Sequence, residues 1–333
     1  MKTAYFYLTE NGLKIAEKLK GTYGGEIFGK ENFRNSVGEA FKSYELLVFV
    51  TATGIAVRTI ADLIQSKLSD PAVLVIDQKG SFVISLISGH LGGGNFYARQ
   101  FAKTLSAIPV ITTATDTENI FAVDEFARQN DIAIENPENI KLISSALLRG
   151  EHIDFVTTFK VNGVSDSNIN FTENFRNNNS VVFDTGFKAE ETERIVLYLR
   201  PRILCLGIGC RKNIEYGNLK ESFLDFMAKN NQSILSLKCI ATIGLKKNEP
   251  AINRLCEEYK LPLEIVGNEK IEAVESRFEF SDYVKKVTGV GSVAEASAFV
   301  ASGMGKTICG KTRYNGITFS LAQSNRDFTY TGE

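Results

Sequence analysis

The sequence predicts a multidomain α/β protein with an N-terminal mixed, mostly parallel three-layer sheet domain, a small linking domain and a C-terminal α/β domain. Three observations predict it. Short β-branched apolar runs alternate with amphipathic helical patterns from Met1 to about Thr115, and again after Pro201. Between these stretches the alternation loosens. The chain of 333 residues is also long for a single compact core. The expected units are residues 1–116, 117–200 and 201–333.

In the first unit, strands are expected at Ala4–Leu8, Glu26–Phe28, Leu46–Val50, Ala72–Ile76, Phe82–Ile87 and Val110–Thr113. Helical patterns fall between them at Gly12–Lys20, Phe33–Ser43, Ile55–Lys67 and Asn95–Ser106. Helical crossovers imply parallel neighbours with both sheet faces covered. The connection Asp77-Gln78-Lys79-Gly80 is too short for a crossover and must turn a hairpin. The sheet is therefore mixed near its later strands.

The linking unit carries helical patterns at Ala122–Gln129 and Pro137–Arg149. An asparagine-heavy patch from Asn168 to Asn179 shows no core periodicity and is expected as exposed loops. Arg200-Pro201 is the expected boundary, because proline cannot continue a strand's ladder. The third unit then offers strands at Arg202–Leu206, Ile234–Ile240, Glu264–Ile265, Thr307–Cys309 and Ile317–Leu321. Its helices fit Leu219–Ala228, Pro250–Tyr259 and Ser292–Ser302.

Composition excludes several function classes. A formal net charge of −1 argues against a nucleic-acid groove, which needs a clustered basic excess. No apolar run approaches the roughly 18 residues of a membrane span, and Met1–Leu8 reads as a strand in place of a signal peptide. Cys205, Cys210, Cys239, Cys256 and Cys309 form no Cys-x-x-Cys pair and have no adjacent histidine, so neither a disulfide framework nor a metal site is expected. The expected compartment is the cytoplasm.

The densest chemistry lies in Ser88-Gly89-His90-Leu91-Gly92-Gly93-Gly94-Asn95, between a predicted buried strand and a helix that Asn95 can cap. A glycine-rich strand-to-helix turn exposes backbone N–H groups at the positive end of a helix, a site for an anionic group. His90 adds an imidazole able to move protons near neutral pH; read structurally, it would only hydrogen-bond loop backbone. His152 sits in a charged, unpatterned stretch and reads as surface. Thr51-Ala52-Thr53-Gly54 is a second strand-to-helix turn, with Thr53 a candidate cap and Gly54 a candidate backbone donor. Ile111-Thr112-Thr113-Ala114-Thr115-Asp116 ends another strand, and Asp116 would pair with His90 if the two loops are neighbours. Gly207-Ile208-Gly209 is a partial dinucleotide fingerprint lacking its third glycine, since Lys212 stands there. In Gly291-Ser292-Val293-Ala294-Glu295, Ser292 and Glu295 have capping-box spacing. Gly303-Met304-Gly305-Lys306-Thr307 is no phosphate loop, because Val300 occupies the place of its first glycine. Gly303 instead reads as a left-handed helix stop.

These blocks, in this order, resemble the cobalt-precorrin-5A hydrolase (CbiG) family of anaerobic cobalamin biosynthesis. The likeness is carried by Thr51 to Arg58, Asp70-Pro71-Ala72-Val73, Ser88 to Gly93 with Asn95, and Val110 to Asp116. Gly207-Ile208-Gly209-Cys210, Lys246 with Glu249, Gly291 to Ala296, and Lys311 before Ile317-Thr318 carry it in the last unit. The likeness spans nearly the whole chain outside Asn168–Asn179. Its C-terminal blocks are shared with a free-standing single-domain relative of the aerobic pathway. Gly94 stands where the family pattern has alanine.

The resemblance implies hydrolysis of the δ-lactone of cobalt-precorrin-5A, with release of acetaldehyde, to give cobalt-precorrin-5B. The partners it implies are a cobalt-corrinoid substrate and water, with neighbouring pathway enzymes as candidates. It implies no organic cofactor and no protein-bound metal, the cobalt being carried by the substrate. On this reading His90 and Asp116 are catalytic. Thr53, Gly54, Ser88, Gly89, Gly92, Gly93, Asn95, Thr112, Thr113, Gly207, Gly209, Gly291 and Ser292 bind substrate. Preorganised donors at a developing oxyanion are usually the largest catalytic contribution. Two alternatives compete: a non-catalytic tetrapyrrole carrier of the same pathway, and a nucleotide-binding oxidoreductase resting only on Gly207-x-Gly209 and the α/β pattern.

Overall fold

The structure, a computed structural model, describes residues 1–66, 69–113, 118, 120–186 and 194–331. Its first sheet has six strands: β1 (Thr3–Tyr7), β2 (Glu26–Phe28), β3 (Leu46–Val50), β4 (Ala72–Ile76), β5 (Phe82–Ile87) and β6 (Ile108–Val110), in the order β2-β1-β3-β4-β5-β6. Strands β1 to β4 are mutually parallel. The hairpin after β4 reverses the chain, so β5 pairs antiparallel to β4, and β6 runs parallel to β5. Asp77 makes that hairpin tight: its carboxylate accepts the N–H groups of Lys79, Ser81 and Phe82.

The period-2 alternation of the strands sends one residue set to each face. Tyr5, Val48, Val50, Leu74 and Val83 pack under helices α1 (Glu10–Tyr23) and α4 (Gly94–Leu105). Ala4, Phe6, Leu47, Phe49 and Val73 pack under α2 (Phe33–Ser43) and α3 (Thr53–Ile60) on the other face. Three layers with a core on each side of the sheet follow directly.

The middle region is more ordered than its sequence suggests. It holds β7 (Ile132–Ile134), β8 (Ile153–Val156), β9 (Val161–Asn162), β10 (Ile169–Thr172), β11 (Asn179–Phe183) and β12 (Ile195–Pro201), with helices α5 (Val123–Gln129) and α6 (Ile140–Leu148). The sheet order is β10-β8-β11-β12-β7, parallel except for β7. The asparagine patch is not simply exposed loop. It contributes β10, and its turn wraps Asp154, which is fully buried. The Asp154 carboxylate accepts N–H groups from Arg176 and Asn177 and side-chain amides from Asn170 and Asn177. Asparagine clusters there because a buried carboxylate needs many donors, a requirement that leaves no apolar period. Burial alone would raise the pKa of Asp154; the N–H groups of Asn177 and Arg176, then the Asn170 and Asn177 amides, outweigh it and hold the carboxyl below the usual range.

Pro201 does not stop the preceding strand: β12 runs through it, opposite Ile132, at the sheet's antiparallel margin. The last unit has β13 (Leu204–Cys210), β14 (Leu237–Ile243), β15 (Leu263–Val266), β16 (Lys306–Tyr314) and β17 (Ile317–Gln323) in the order β15-β14-β13-β17-β16. The expected strand start at Ile234 is a short 3₁₀ turn, and β14 begins at Leu237. Helices α7 (Tyr216–Lys229) and α8 (Pro250–Tyr259) cover one face. Helices α9 (Asn268–Glu272), α10 (Asp282–Thr288) and α11 (Ala294–Ala301) follow, and α11 covers the other face. Gly303 is left-handed at φ 73°, the expected helix stop. The chain then returns to the middle region. Strand β18 (Phe328–Thr329) pairs with β9, and Phe328 is fully buried in the middle core beside Phe183.

Candidate functional site

The hairpin decides which loops can meet. Because β5 runs against β4, the turn leaving β5 sits at the end of the sheet where β4 begins: Ile87 lies opposite Val73. Thr51–Gly54 leaves β3 at the other end, beyond the Val50–Ile76 pair. Five strand residues at roughly 3.3 Å each separate the two turns, about 16 Å. Thr53 and Gly54 are therefore not brought together with His90, against the joint grip expected from the sequence. Nor does Thr53 cap its helix: it is the first residue of α3, and the preceding position is Ala52, with no side-chain cap.

The Ser88–Asn95 turn is fixed by its own backbone. Gly93 donates its N–H to the His90 carbonyl at 2.9 Å, Gly94 to Ser88 at 3.2 Å and Asn95 to Gly89 at 2.9 Å. The Gly93 N–H is thus spent inside the loop and cannot hold a ligand, a second correction. Ser88 is left-handed at φ 53° and Gly93 at 79°. A Cβ on Gly92 would stand 2.6 Å from the Ser88 carbonyl oxygen, so only glycine closes this turn. The Ser88 hydroxyl is buried and has no hydrogen-bond partner among the described residues. Asn95 does not cap α4, which begins at Gly94 with Gly93 as its cap. Its buried side chain instead donates to the Thr113 hydroxyl at 3.1 Å, tying the turn to the exit of β6. Thr112 is exposed beside it, and His152 is exposed on the surface. Asp116 lies outside the described residues.

Among the described residues, an acid that meets His90 is Asp124. The imidazole Nδ1 stands 3.4 Å from Asp124 Oδ2, both side chains being about nine-tenths buried. Asp124 lies in the first turn of helix α5, and its other oxygen accepts the Glu125 N–H at 3.1 Å. A carboxylate facing Nδ1 favours the tautomer protonated there and leaves the basic lone pair on Nε2. Leu91 packs into the middle core, so the turn is also where the first two regions join.

Sequence reasoning missed Asp124 because two acids in a helix's first turn already have a local explanation in the helix dipole. The signal available was their position, eight and nine residues after Asp116 on the next helix.

The third region's predicted residues have packing roles. Gly207 and Gly209 lie within β13, not after it. A Cβ on Gly207 would overlap the Ala294 carbonyl of α11, and one on Gly291 would overlap the Phe280 ring. The Gly291 N–H goes to Glu275 Oε2 at 2.6 Å. The expected capping box is absent: Val293 is the cap, Ser292 is buried, and Glu295 accepts the Lys311 N–H at 3.1 Å. At the end of β14, Lys246 and Glu249 form a buried ion pair at 3.1 Å, and burial pushes the nearby Cys210 thiol up to about 11. Among the described residues no cluster of three or more His, Cys, Asp or Glu could hold a metal ion, and no helix is long and apolar enough to cross a membrane.

Three family models match the chain: Cobalamin synthesis G N-terminal over residues 35–116, Cobalamin biosynthesis central region over 121–201, and Cobalamin synthesis G C-terminus over 204–322. The chain is 31% identical to a cobalt-precorrin-5A hydrolase of Salmonella typhimurium, covering 96% of each chain. It is also 31% identical to one of Priestia megaterium, covering 85% of this chain and 79% of that one. Among solved structures it is similar to a cobalamin biosynthesis protein G homologue from Sulfolobus solfataricus, at 26% identity, 97% coverage of each chain and a TM-score of 0.43.

Proposed function

The chain belongs to the CbiG family of cobalamin biosynthesis, and from that premise we propose that its chemistry is centred on His90 and Asp124. The activity is that of a cobalt-precorrin-5A hydrolase: water opens the substrate's δ-lactone and a two-carbon fragment leaves as acetaldehyde. The relatives' names are those of hydrolases, so a carrier role is not favoured. The substrate brings its own cobalt, and the reading calls on no organic cofactor. The proposed division of the chain is 1–116, 117–200 and 201–333, except that Pro201 and the returning tail strand at Phe328–Thr329 pack with the middle unit; the first two units supply the reacting groups. The proposed compartment is the cytoplasm.

The observation that supports this assignment is the 3.4 Å contact between His90 and Asp124. With its Nδ1 facing the carboxylate, the imidazole accepts a proton from water at Nε2 as the water oxygen attacks the lactone carbonyl. The tetrahedral oxyanion collapses, the C–O bond breaks, and the imidazolium returns its proton to the leaving oxygen. Deprotonation of that carbinol then lets its C–O bond become the aldehyde carbonyl while the C–C bond to the macrocycle breaks. The electron pair passes to the conjugated ring, which is protonated. Ser88, Gly89, Gly92, Asn95, Thr112 and Thr113 are the proposed substrate-facing set on this side of the sheet.

Acetaldehyde release by purified variants tests the assignment. His90→Ala should lower kcat by about 100-fold or more. Asp124→Asn should lower it at least about tenfold by losing the tautomer, with substrate affinity kept. Asp116→Asn is measured alongside, as the acid expected from sequence. Near-normal turnover in both His90→Ala and Asp124→Asn overturns the proposal.

A further inference from the structure

Helix α5 carries a basic side chain aimed at the same turn. Asp124 orients His90, and the next residue, Glu125, orients Arg128. Arg128 Nε donates to Glu125 Oε2 at 3.1 Å, and Nη2 donates to Glu125 Oε1. Gln129 Nε2 donates to the same carboxylate at 3.2 Å. The guanidinium stacks over the Phe96 ring of α4, 4.9 Å from its centroid. It is therefore held at the fork by a two-point ion pair and on its flat face by an aromatic ring. Little rotamer freedom is left to lose when a ligand arrives.

The ion pair with Glu125 engages Nε and Nη2. The remaining nitrogen, Nη1, lies with Cδ and Nε over the glycine turn: a Cβ at Gly93 would stand 3.5 Å from Nη1 and Cδ and 3.7 Å from Nε. Gly93 is three residues from His90 and is left-handed at φ 79°. The Arg128 side chain is 22% exposed, against 12% for His90. An arginine held only for stability has no need to keep one amino group over a side-chain-free stretch of backbone. A site receiving a planar carboxylate does, since Nη1 brings two N–H donors and a charge that does not titrate.

We infer that Arg128 anchors a carboxylate arm of the substrate beside His90, fixing the macrocycle's edge so that the lactone faces the imidazole. The inference rests on the assignment of the reaction to the His90 turn. It adds a fixed positive charge that selects an acid-bearing ligand there. Glu125 is the positioning residue for this arginine, as Asp124 is for the histidine.

Steady-state kinetics of cobalt-precorrin-5A turnover, read as acetaldehyde, test the inference. Arg128→Gln should raise KM about 10- to 100-fold, the loss of one charge-assisted contact, with kcat within about threefold of the parent. Arg128→Lys, which keeps the charge without the fork, should fall between them. Raising the salt concentration should raise the parent's KM more than that of Arg128→Gln. Glu125→Gln breaks the same ion pair but leaves the guanidinium, so its KM should rise less than that of Arg128→Gln. An unchanged KM in Arg128→Gln, or equal KM increases in Arg128→Gln and Glu125→Gln, overturns the inference in favour of a purely structural clamp. His90→Ala separates the two proposals: full turnover there, with a raised KM in Arg128→Gln, removes the histidine chemistry and leaves the anchor standing.

Discussion

The first sheet carries two glycine-containing turns at its opposite ends, one running from the fully buried β3 into a helix and the other from the half-buried β5. Thr51–Gly54 follows β3, and its helix begins with no side-chain cap. Ser88–Gly94 follows β5; the middle region closes over it with Asp124 and Arg128, and the turn's own Leu91 packs into the middle core. A Cβ on Gly54 would meet only the Arg58 guanidinium, at 3.5 Å, an ordinary contact. One on Gly92 would strike backbone. The difference teaches that glycine in such a turn can mean opposite things. At position 92 the backbone packs too closely for any side chain; at position 54 nothing in the packing demands glycine.

Three substitutions break or sharpen this contrast. Gly92→Ala should have the largest effect, since the turn must reopen to admit the methyl group. A stability loss of about 1–3 kcal/mol is expected, seen as a lower Tm, together with loss of most acetaldehyde release. Full activity after that substitution would show that the closed turn is dispensable.

Asp154→Asn comes next. It acts on the region that supplies Asp124 and Arg128 and leaves the first sheet alone. Because the folded carboxyl of Asp154 is held below its ordinary range, its stabilisation is fully present above the pKa of the unfolded chain. It is lost as pH falls through the folded value. The parent should therefore lose stability in acid more steeply than Asp154→Asn, and thermal melts between neutral pH and about pH 3 measure it, bracketing the ordinary aspartate value. Parallel curves for the two proteins would contradict the donor-cage account of the asparagine turn.

Gly54→Ala should do least. The position is helical, so the methyl group should be neutral or raise stability by up to about 1 kcal/mol, with acetaldehyde release unchanged. A large loss of turnover there would move substrate binding to the end of the sheet remote from His90.

Much of this architecture was legible in the residues. The early strands stand close to where their β-branched runs place them. The short Asp77–Gly80 link announced a hairpin and hence a mixed sheet. The consequence of that hairpin was equally available: a reversed β5 must deliver its turn to the end opposite Thr51–Gly54. Strand direction is a non-local property, however, and a motif read in isolation carries no sense of which end of the sheet it occupies. The asparagine patch was opaque for another reason. Its order is organised by a single buried charge, Asp154, and polar satisfaction has no period to detect. Asp124 was hidden by a sufficient local explanation, since acids at a helix start need no partner in another region. Gly207 and Gly291 misled in the reverse direction, as bare backbone that serves close packing looks the same in sequence as bare backbone that serves a ligand.

The returning tail bears on how the protein is made. Tyr330 offers its hydroxyl to the Ala122 N–H at the start of α5, while Asn130 at the other end exchanges hydrogen bonds with Thr329, and Gln129 with Thr331. These residues emerge from the ribosome after the whole third region has been synthesised. The helix bearing the orienting acid thus gains its last supports, at both of its ends, only once residues 329–331 have been made.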